Sequence, residues 1–324
     1  MGLKIGGIEL KNNIFLAPMA GISDFPLRSL AKENGAGLVY TEMVSAKALL
    51  YGDKKTRKLF YCEDAERPIA FQIFGSAVNE MGEAAKIAAD LGADIIDINL
   101  GCPVRKIAKA GAGAKLLENE KMIADILENT VKKASVPVTI KTRLGLKKGE
   151  ETASRVLEIC CQSGVRAMAL HARYASQGHS GEIDFETFAK VCANAKIPII
   201  ANGSIIDENS AQKFSAVKNC SAQMIGRGAI GNYSIFKRLD SFLNRRICLP
   251  PPSLKERTEY LKKHFEKAFA FYGEQRAVIL MRKTIPYYLK DFPEASKFRA
   301  LFNQAQNRME FEKLITEIEN KIEA

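Results

Sequence analysis

Eight short runs of β-branched and apolar residues recur along the first three quarters of the chain, and that recurrence constrains the fold more than any other feature. The runs are Ile14–Ala17, Leu38–Glu42, Ile69–Phe74, Ile95–Asn99, Val136–Lys141, Ala167–His171, Ile197–Asn202 and Ala222–Gly226. Between most of them lie stretches with apolar residues at three and four spacing, such as Met81–Leu91, Met122–Ala134 and Thr152–Ser163. A period of two gives way to a period near 3.6 again and again, as parallel βα units require. Eight units over about 240 residues match a closed (β/α)8 TIM barrel. The rival, a doubly wound open sheet, would use five or six strands and a Gly-x-Gly-x-x-Gly turn after the first one, which is absent. The Ala110–Ala114 run, AGAGA, lies well past its strand and reads as a flexible loop.

Beyond Arg246 the texture changes. Pro250, Pro251 and Pro252 stop any helix, and the rest of the chain reads as helix without a strand pattern. The chain is therefore divided into a barrel, residues 1–245, and an all-helical domain, residues 246–324. Residues 246–309 hold 13 Lys or Arg against 6 Asp or Glu, a net of +7, while residues 310–324 hold 2 against 5, a net of −3. Charge is thus concentrated in the tail, within a chain of net charge +11, and favours an anionic partner. The seven cysteines form no CxxC pair and no metal-ligand spacing, which argues against a metal centre, a cluster or a disulfide framework. No 18-residue apolar run and no secretory leader pattern occurs, so the expected setting is the cytoplasm, without membrane attachment.

Barrel enzymes place their chemistry where strands end. Here the strand ends are Ala17-Pro18-Met19-Ala20, Gln72, Asn99-Leu100-Gly101-Cys102-Pro103, Lys141-Thr142-Arg143, His171-Ala172-Arg173, Asn202-Gly203-Ser204 and Gly226-Arg227-Gly228. Gly203 and the Gly-Arg-Gly triplet, on adjacent units, suit close approach of backbone N–H groups to a phosphate that Arg227 neutralises; the alternative is that they only form turns. Cys102 lies where the chain leaves a strand between Gly and Pro, an awkward place for a buried packing residue. A cysteine thiol is ordinarily protonated at neutral pH and serves as a general acid without activation. Cys160, Cys161, Cys192 and Cys220 read as small inert hydrophobes. Lys141 and His171, taken singly, could be structural; with Cys102 and a phosphate site they form a constellation.

These phrases, in order, resemble the tRNA-dihydrouridine synthases, most closely the B-type bacterial branch. The resemblance is carried by APMAGISD, TEMVSA, QIFGS, DINLGCPVRK, GAGAKLL, VTIKTRLG, HAR, IIANGSI and MIGRGAIGN, with RAVILMRK and FRALFN in the tail. It implies FMN at the barrel mouth, NADPH as electron donor, and reduction of the uracil 5,6 double bond in tRNA. Separately from the resemblance, the protein is expected to work as a monomer. By motif match, Pro18, Met19 and Ala20 would line the flavin ring, Gln72 and Lys141 would bind its polar edge, and Asn202, Gly203, Gly226 and Arg227 would hold its tail. Cys102 would be the proton donor, with Asn99 and His171 lining the flavin and uracil pocket and Arg173 beside them. Ser204 stands where the family often has Asp, so its contact to the flavin tail is in question. RNA contacts are expected from Arg105 and Lys106 beside Cys102, and in the tail from Arg276, Arg282, Lys283, Lys290, Lys297 and Arg299, interleaved with Tyr287 and Tyr288. A small-molecule FMN reductase of the dihydroorotate dehydrogenase kind is the alternative, since its barrel also ends a strand in a phrase like Asn-Leu-x-Cys-Pro; the basic tail argues against it.

Overall fold

The computed structural model describes residues 3–323. Each of the eight runs forms a strand: β1 (Ile14–Leu16), β2 (Val39–Tyr40), β3 (Ile69–Phe74), β4 (Ile95–Asn99), β5 (Val138–Arg143), β6 (Met168–His171), β7 (Ile199–Asn202) and β8 (Cys220–Ile225). Parallel pairing runs from β2 through to β8 and on to β1. A bridge between Phe15 and Leu38 then closes the ring, with Leu16 N donating to Leu38 O at 2.9 Å.

Several strand boundaries differ from the runs by one or two residues, and those of β2 and β5 have a visible local reason. β2 stops at Tyr40 because the Thr41 hydroxyl, not a backbone carbonyl, accepts the Gln72 N–H, at 3.0 Å. Pairing with β3 resumes at Val44–Ser45. β5 starts at Val138, after Pro137, whose nitrogen cannot donate to a ladder, and extends past Lys141 to Arg143.

Strand alternation separates two apolar regions. Phe15, Leu38, Ala70, Ile95, Ala169, Ile200 and Met224 fill the barrel interior, and a hairpin of Lys4–Ile5 with Ile8–Glu9 inserts Ile5 and Leu10 beneath them. That hairpin has no sequence signature because two-residue strands carry no measurable period. Alternate residues of the same strands, Phe71, Ile73, Ile98 and Ile140 among them, face the surrounding helices.

The helix Ile235–Arg245 ends on Arg246 in the left-handed region, φ 60°. Ser253 then caps the helix Leu254–Tyr272 through a reciprocal box with Glu256. The helices Glu274–Met281, Ile285–Tyr288, Ala295–Gln304 and Arg308–Glu323 complete the tail. The stacked rings of Phe265 and Phe311, 4.1 Å between centroids, lie at its centre. Its apolar core is continuous with the outer core of the barrel. Polar contacts seal the junction: Tyr288 shares hydrogen bonds with Tyr233 (2.9 Å) and His264 (2.8 Å), and Tyr272 donates to Asp24 at 3.1 Å. No described helix is long and apolar enough to cross a membrane.

Candidate active site

The same alternation that buries Ala70, Ile95 and Ala169 turns Gln72, Asn99, Lys141 and His171 inward at the carboxyl ends of their strands. Asn99 is in register with Lys141, and Asn202 with His171. These side chains form the floor and wall of a cavity of about 1080 Å³ at the barrel mouth. Pro18, Met19 and Ala20 line one side of it, and Gly203, Ser204, Gly226 and Arg227 another. Cys102, half-buried, also faces this cavity. Tyr287 and Lys290 from the tail, with Pro251 and Pro252 from the connection, complete its outer wall.

The loop that carries Cys102 is held from three directions. Asn99 Oδ1 accepts from the N–H groups of Gly101 (3.2 Å) and Cys102 (3.0 Å). Buried Arg143 donates from Nε to Gly101 O at 2.8 Å and from Nη1 to Tyr174 O at 3.1 Å. Cys102 O accepts from Ala114 N at 3.0 Å. This last contact corrects the reading of AGAGA as a flexible loop. Ala112 and Ala114 are buried, and a Cβ at Gly113, where φ is +63°, would lie 2.7 Å from Cys102 O. The segment is a packed floor beneath the cysteine, and its small residues are needed for close approach.

The cavity is strongly cationic. Burial, followed by repulsion from Arg143, lowers the Lys141 ammonium to about 8, while Asp97 and Cys102 oppose the shift. It remains mostly charged at neutral pH. Burial likewise lowers Arg143 to about 10, well within its charged range. His171 is driven far below its ordinary value, first by burial and then by Lys141, Arg143 and Arg173, so its imidazole is neutral. Arg173 Nη1 lies 3.2 Å from His171 Nε2. Because a guanidinium only donates, Nε2 accepts and the ring proton sits on Nδ1.

Arg173 also donates to Gly181 O at 3.0 and 2.7 Å and to Ser204 Oγ at 2.7 Å. The Ser204 hydroxyl thus has a protein partner as acceptor and keeps its own hydrogen. Gly203, at φ +122°, lies so close to His171 that a Cβ would meet its ring at 3.0 Å. Asn202 donates to Met224 O at 2.8 Å, and Arg227, exposed, donates to His179 O at 2.9 Å.

The tail candidates divide sharply. Arg282 donates to Ala305 O at 2.7 Å and has its Nε buried, so it braces the tail from within. Tyr288 is buried at the junction. Lys297 pairs with Glu294 at 3.0 Å, Arg299 donates to Ser296 Oγ at 2.8 Å, and Arg276 lies over the Tyr272 ring. Lys283 reaches the mouth rim, where its Nζ would be 3.1 Å from a Cβ on Gly21. Arg105 and Lys106 are exposed on the short helix Arg105–Lys109, next to the cysteine loop.

Asp97, beneath the cavity behind Gln72, and His179, in its wall, are not among the expected site residues, and Arg143, read only as a strand end, anchors the Cys102 loop. Period two from Lys141 points to Arg143, and period two back from Asn99 points to Asp97. His179 sits on a loop with no periodic signal.

A sequence profile described as "Dihydrouridine synthase (Dus)" matches residues 15–323. The chain belongs to the dihydrouridine synthase family. Among relatives, tRNA-dihydrouridine synthase B of Pseudomonas aeruginosa is 37% identical over 94% of this chain and 92% of its own length. The protein of the same name from Proteus vulgaris is 36% identical over 95% of both. Among solved structures, an old yellow enzyme homologue from Zymomonas mobilis superposes with a TM-score of 0.57, covering 79% of this chain and 94% of that one. At 14% identity that likeness speaks for the barrel fold alone. In this dihydrouridine synthase, the matched span takes in both the mouth residues and the helical tail.

Proposed function

We propose that this dihydrouridine synthase reduces the 5,6 double bond of uridines in tRNA, with FMN in the mouth cavity and NADPH as the source of electrons. One observation carries the reading: a free thiol and an amine cation that forms no salt bridge among the described residues share the lining of a cavity partly walled by a basic tail.

The lining fits FMN, a flat ring with an anionic tail. Pro18, Met19 and Ala20 offer an apolar face, Lys141 offers a cation, and Gly203, Gly226 and Arg227 would receive the phosphate. When bound, FMN supplies the hydride that goes to C6 of the uracil. Cys102 gives its thiol proton to C5, which carries negative charge as the hydride arrives. Lys141 stabilises negative charge that develops beside it. His171, neutral and with its proton on Nδ1, offers a fixed donor without adding repulsion to the cations already present. A base stacked in tRNA does not reach such a floor, so the uridine must be swung out, at a cost of a few kcal/mol.

Contacts to RNA phosphates at the rim offset that cost. Lys283 and Lys290 in the tail and Arg105 and Lys106 beside Cys102 are placed for them, whereas Arg282 acts on the tail's own stability. Removing Lys283 and Lys290 together should weaken tRNA binding and flatten the dependence of log affinity on log salt by about one unit per contact. NADPH oxidation with a small acceptor should stay unchanged. Filter binding across a salt series makes the comparison, and an unaltered slope would place the RNA elsewhere. The same series bears on a small-molecule reductase of the dihydroorotate dehydrogenase kind, for which neither lysine should matter. Substitution is preferable to cutting after Arg246, since the continuous core means that a cut would expose apolar barrel surface.

A further inference from the structure

Below the cysteine loop, a row of buried polar groups crosses the barrel interior. Asp97, fully buried on β4, accepts from Gln72 Nε2 at 2.7 Å and from the Thr139 hydroxyl at 2.7 Å. Gln72 Oε1 accepts from Asn99 Nδ2 at 2.9 Å. Asn99 Oδ1 then holds the N–H groups of Gly101 and Cys102. An amide side chain can turn over and exchange its donor and acceptor ends at little intrinsic cost. An ionised carboxylate cannot, because it only accepts. With Asp97 ionised, Gln72 must present its NH2 to Asp97 and its oxygen to Asn99, and Asn99 must present its oxygen to the loop.

We propose that Asp97 is a positioning residue for the proton-donating step, setting the Cys102 loop through a one-way hydrogen-bond chain that passes through Gln72 and Asn99. The proposal rests on the reading of Cys102 as the proton donor. Protonated Asp97 would itself donate and so invite Gln72 to turn its oxygen inward. Gln72 would then meet Asn99 donor to donor, and Asn99, turned over, would face the loop N–H groups with its own NH2. The Asn99 anchor of the Gly101 and Cys102 N–H groups would be lost, one of the three that hold the loop.

Burial raises the Asp97 carboxyl to about 6, against the opposing pull of Gln72, Thr139 and Lys141. The charged or titratable groups facing it are Lys141 from β5, which stays cationic through that range, and Tyr40 from β2, whose buried phenol is pushed well above its ordinary value. His179, across the mouth, is lowered by burial and by the surrounding cations. It is unchanged by substitution at Asp97 or Gln72, so its contribution cancels when those variants are compared with wild type.

The test uses the full-length flavin-bound protein labelled with [15N]cysteine, with the Cys102 amide signal identified by its absence in Cys102→Ala. On titration the wild-type signal should shift with a midpoint near 6. In Asp97→Asn, which keeps an acceptor toward Gln72 and does not titrate, the step near 6 should be missing, leaving only the His179 contribution common to both proteins. Should that variant not fold, Gln72→Met cuts the chain one link later with Asp97 in place, and that step at Cys102 should again vanish. A wild-type signal indifferent to pH, or a step near 6 that survives either substitution undiminished, overturns the proposal. This readout needs no turnover, so it separates failure of the relay from failure of the proposed activity. In single-turnover oxidation by saturating tRNA, the wild-type rate should fall on acidification with the same midpoint, and the Asp97→Asn rate should not. Asp97→Leu should slow this step at least about tenfold, toward the loss of a positioned acid, and leave flavin reduction by NADPH within about twofold. Equal losses in both half-reactions would reduce Asp97 to a general structural residue and contradict the proposal.

Discussion

Cys102→Ala should retain FMN and accept electrons from NADPH at the normal rate, yet pass them to uridine about 10²- to 10⁴-fold more slowly, the usual cost of losing one general acid. The reason lies in how the loop is held. Its anchors are Asn99 Oδ1, the Arg143 guanidinium and Ala114 N, and all of them touch the backbone of Gly101 or Cys102. Removing the sulfur leaves those contacts in place, so the loop and the cavity should survive the substitution. The loss should therefore appear in the oxidation of pre-reduced protein by tRNA and be absent from its reduction. Stopped-flow absorbance of the flavin measures both. Equal rates of oxidation in the two proteins would remove Cys102 from the reaction.

Lys141→Met should be nearly as damaging but differently distributed. Methionine fills a similar volume without charge, and deletion of one preorganised electrostatic donor costs about 10²- to 10³-fold, or about 2.7 to 4 kcal/mol. Both half-reactions should slow, because the cation lies beside the floor where charge develops in each. The pH profile gives a second signature. Lysine is charged below its pKa, and in the free protein that pKa is lowered to about 8 by burial and Arg143, so the cation-dependent rate should fall as pH rises through that region. An anionic ligand against the ammonium would move the fall to higher pH. Lys141→Met should lack this alkaline limb in the reduction of flavin by NADPH, where Cys102 takes no part. Arg227→Ala serves as the contrast: an exposed phosphate contact should be worth about 1.5 to 3 kcal/mol of flavin affinity. Its flavin should wash out on dilution, with the rate restored by added FMN. Restoration of Lys141→Met by added FMN would mean that Lys141 only retains the cofactor.

Periodicity made the barrel legible, because β-strands that are buried on both faces must be written in apolar residues and must be short. It reached the site for the same reason: Asn99, Lys141 and His171 each interrupt an apolar run at its end, and Gln72 breaks one from within, where a polar group has no packing purpose. What it could not convey is which of a side chain's bonds are already taken. Arg282 reads in the sequence as one more basic residue of the tail, yet Ala305 O occupies it. Tyr288 reads as a ring free to stack on a base, yet it closes a junction with Tyr233 and His264. Asp97 lies inside a strand, where period two gives the face it is on but not the partners it meets. Its importance comes from Gln72 and Thr139, 25 and 42 residues away, and partners at that range are settled only by the closed ring. The hairpin at Lys4–Glu9 was hidden by brevity and AGAGA by its small residues, which favour close packing and loose loops alike.

Reduction of tRNA uridine at the mouth cavity is tested most directly by incubating the purified flavin-bound protein with NADPH and tRNA transcribed without modifications, then digesting the RNA and weighing its nucleosides. The expected product is a nucleoside two hydrogens heavier than uridine, formed in step with NADPH oxidation and nearly abolished in Cys102→Ala. Oxidation of NADPH with intact uridine throughout, under conditions where a relative's enzyme modifies the same transcript, would contradict the proposed activity.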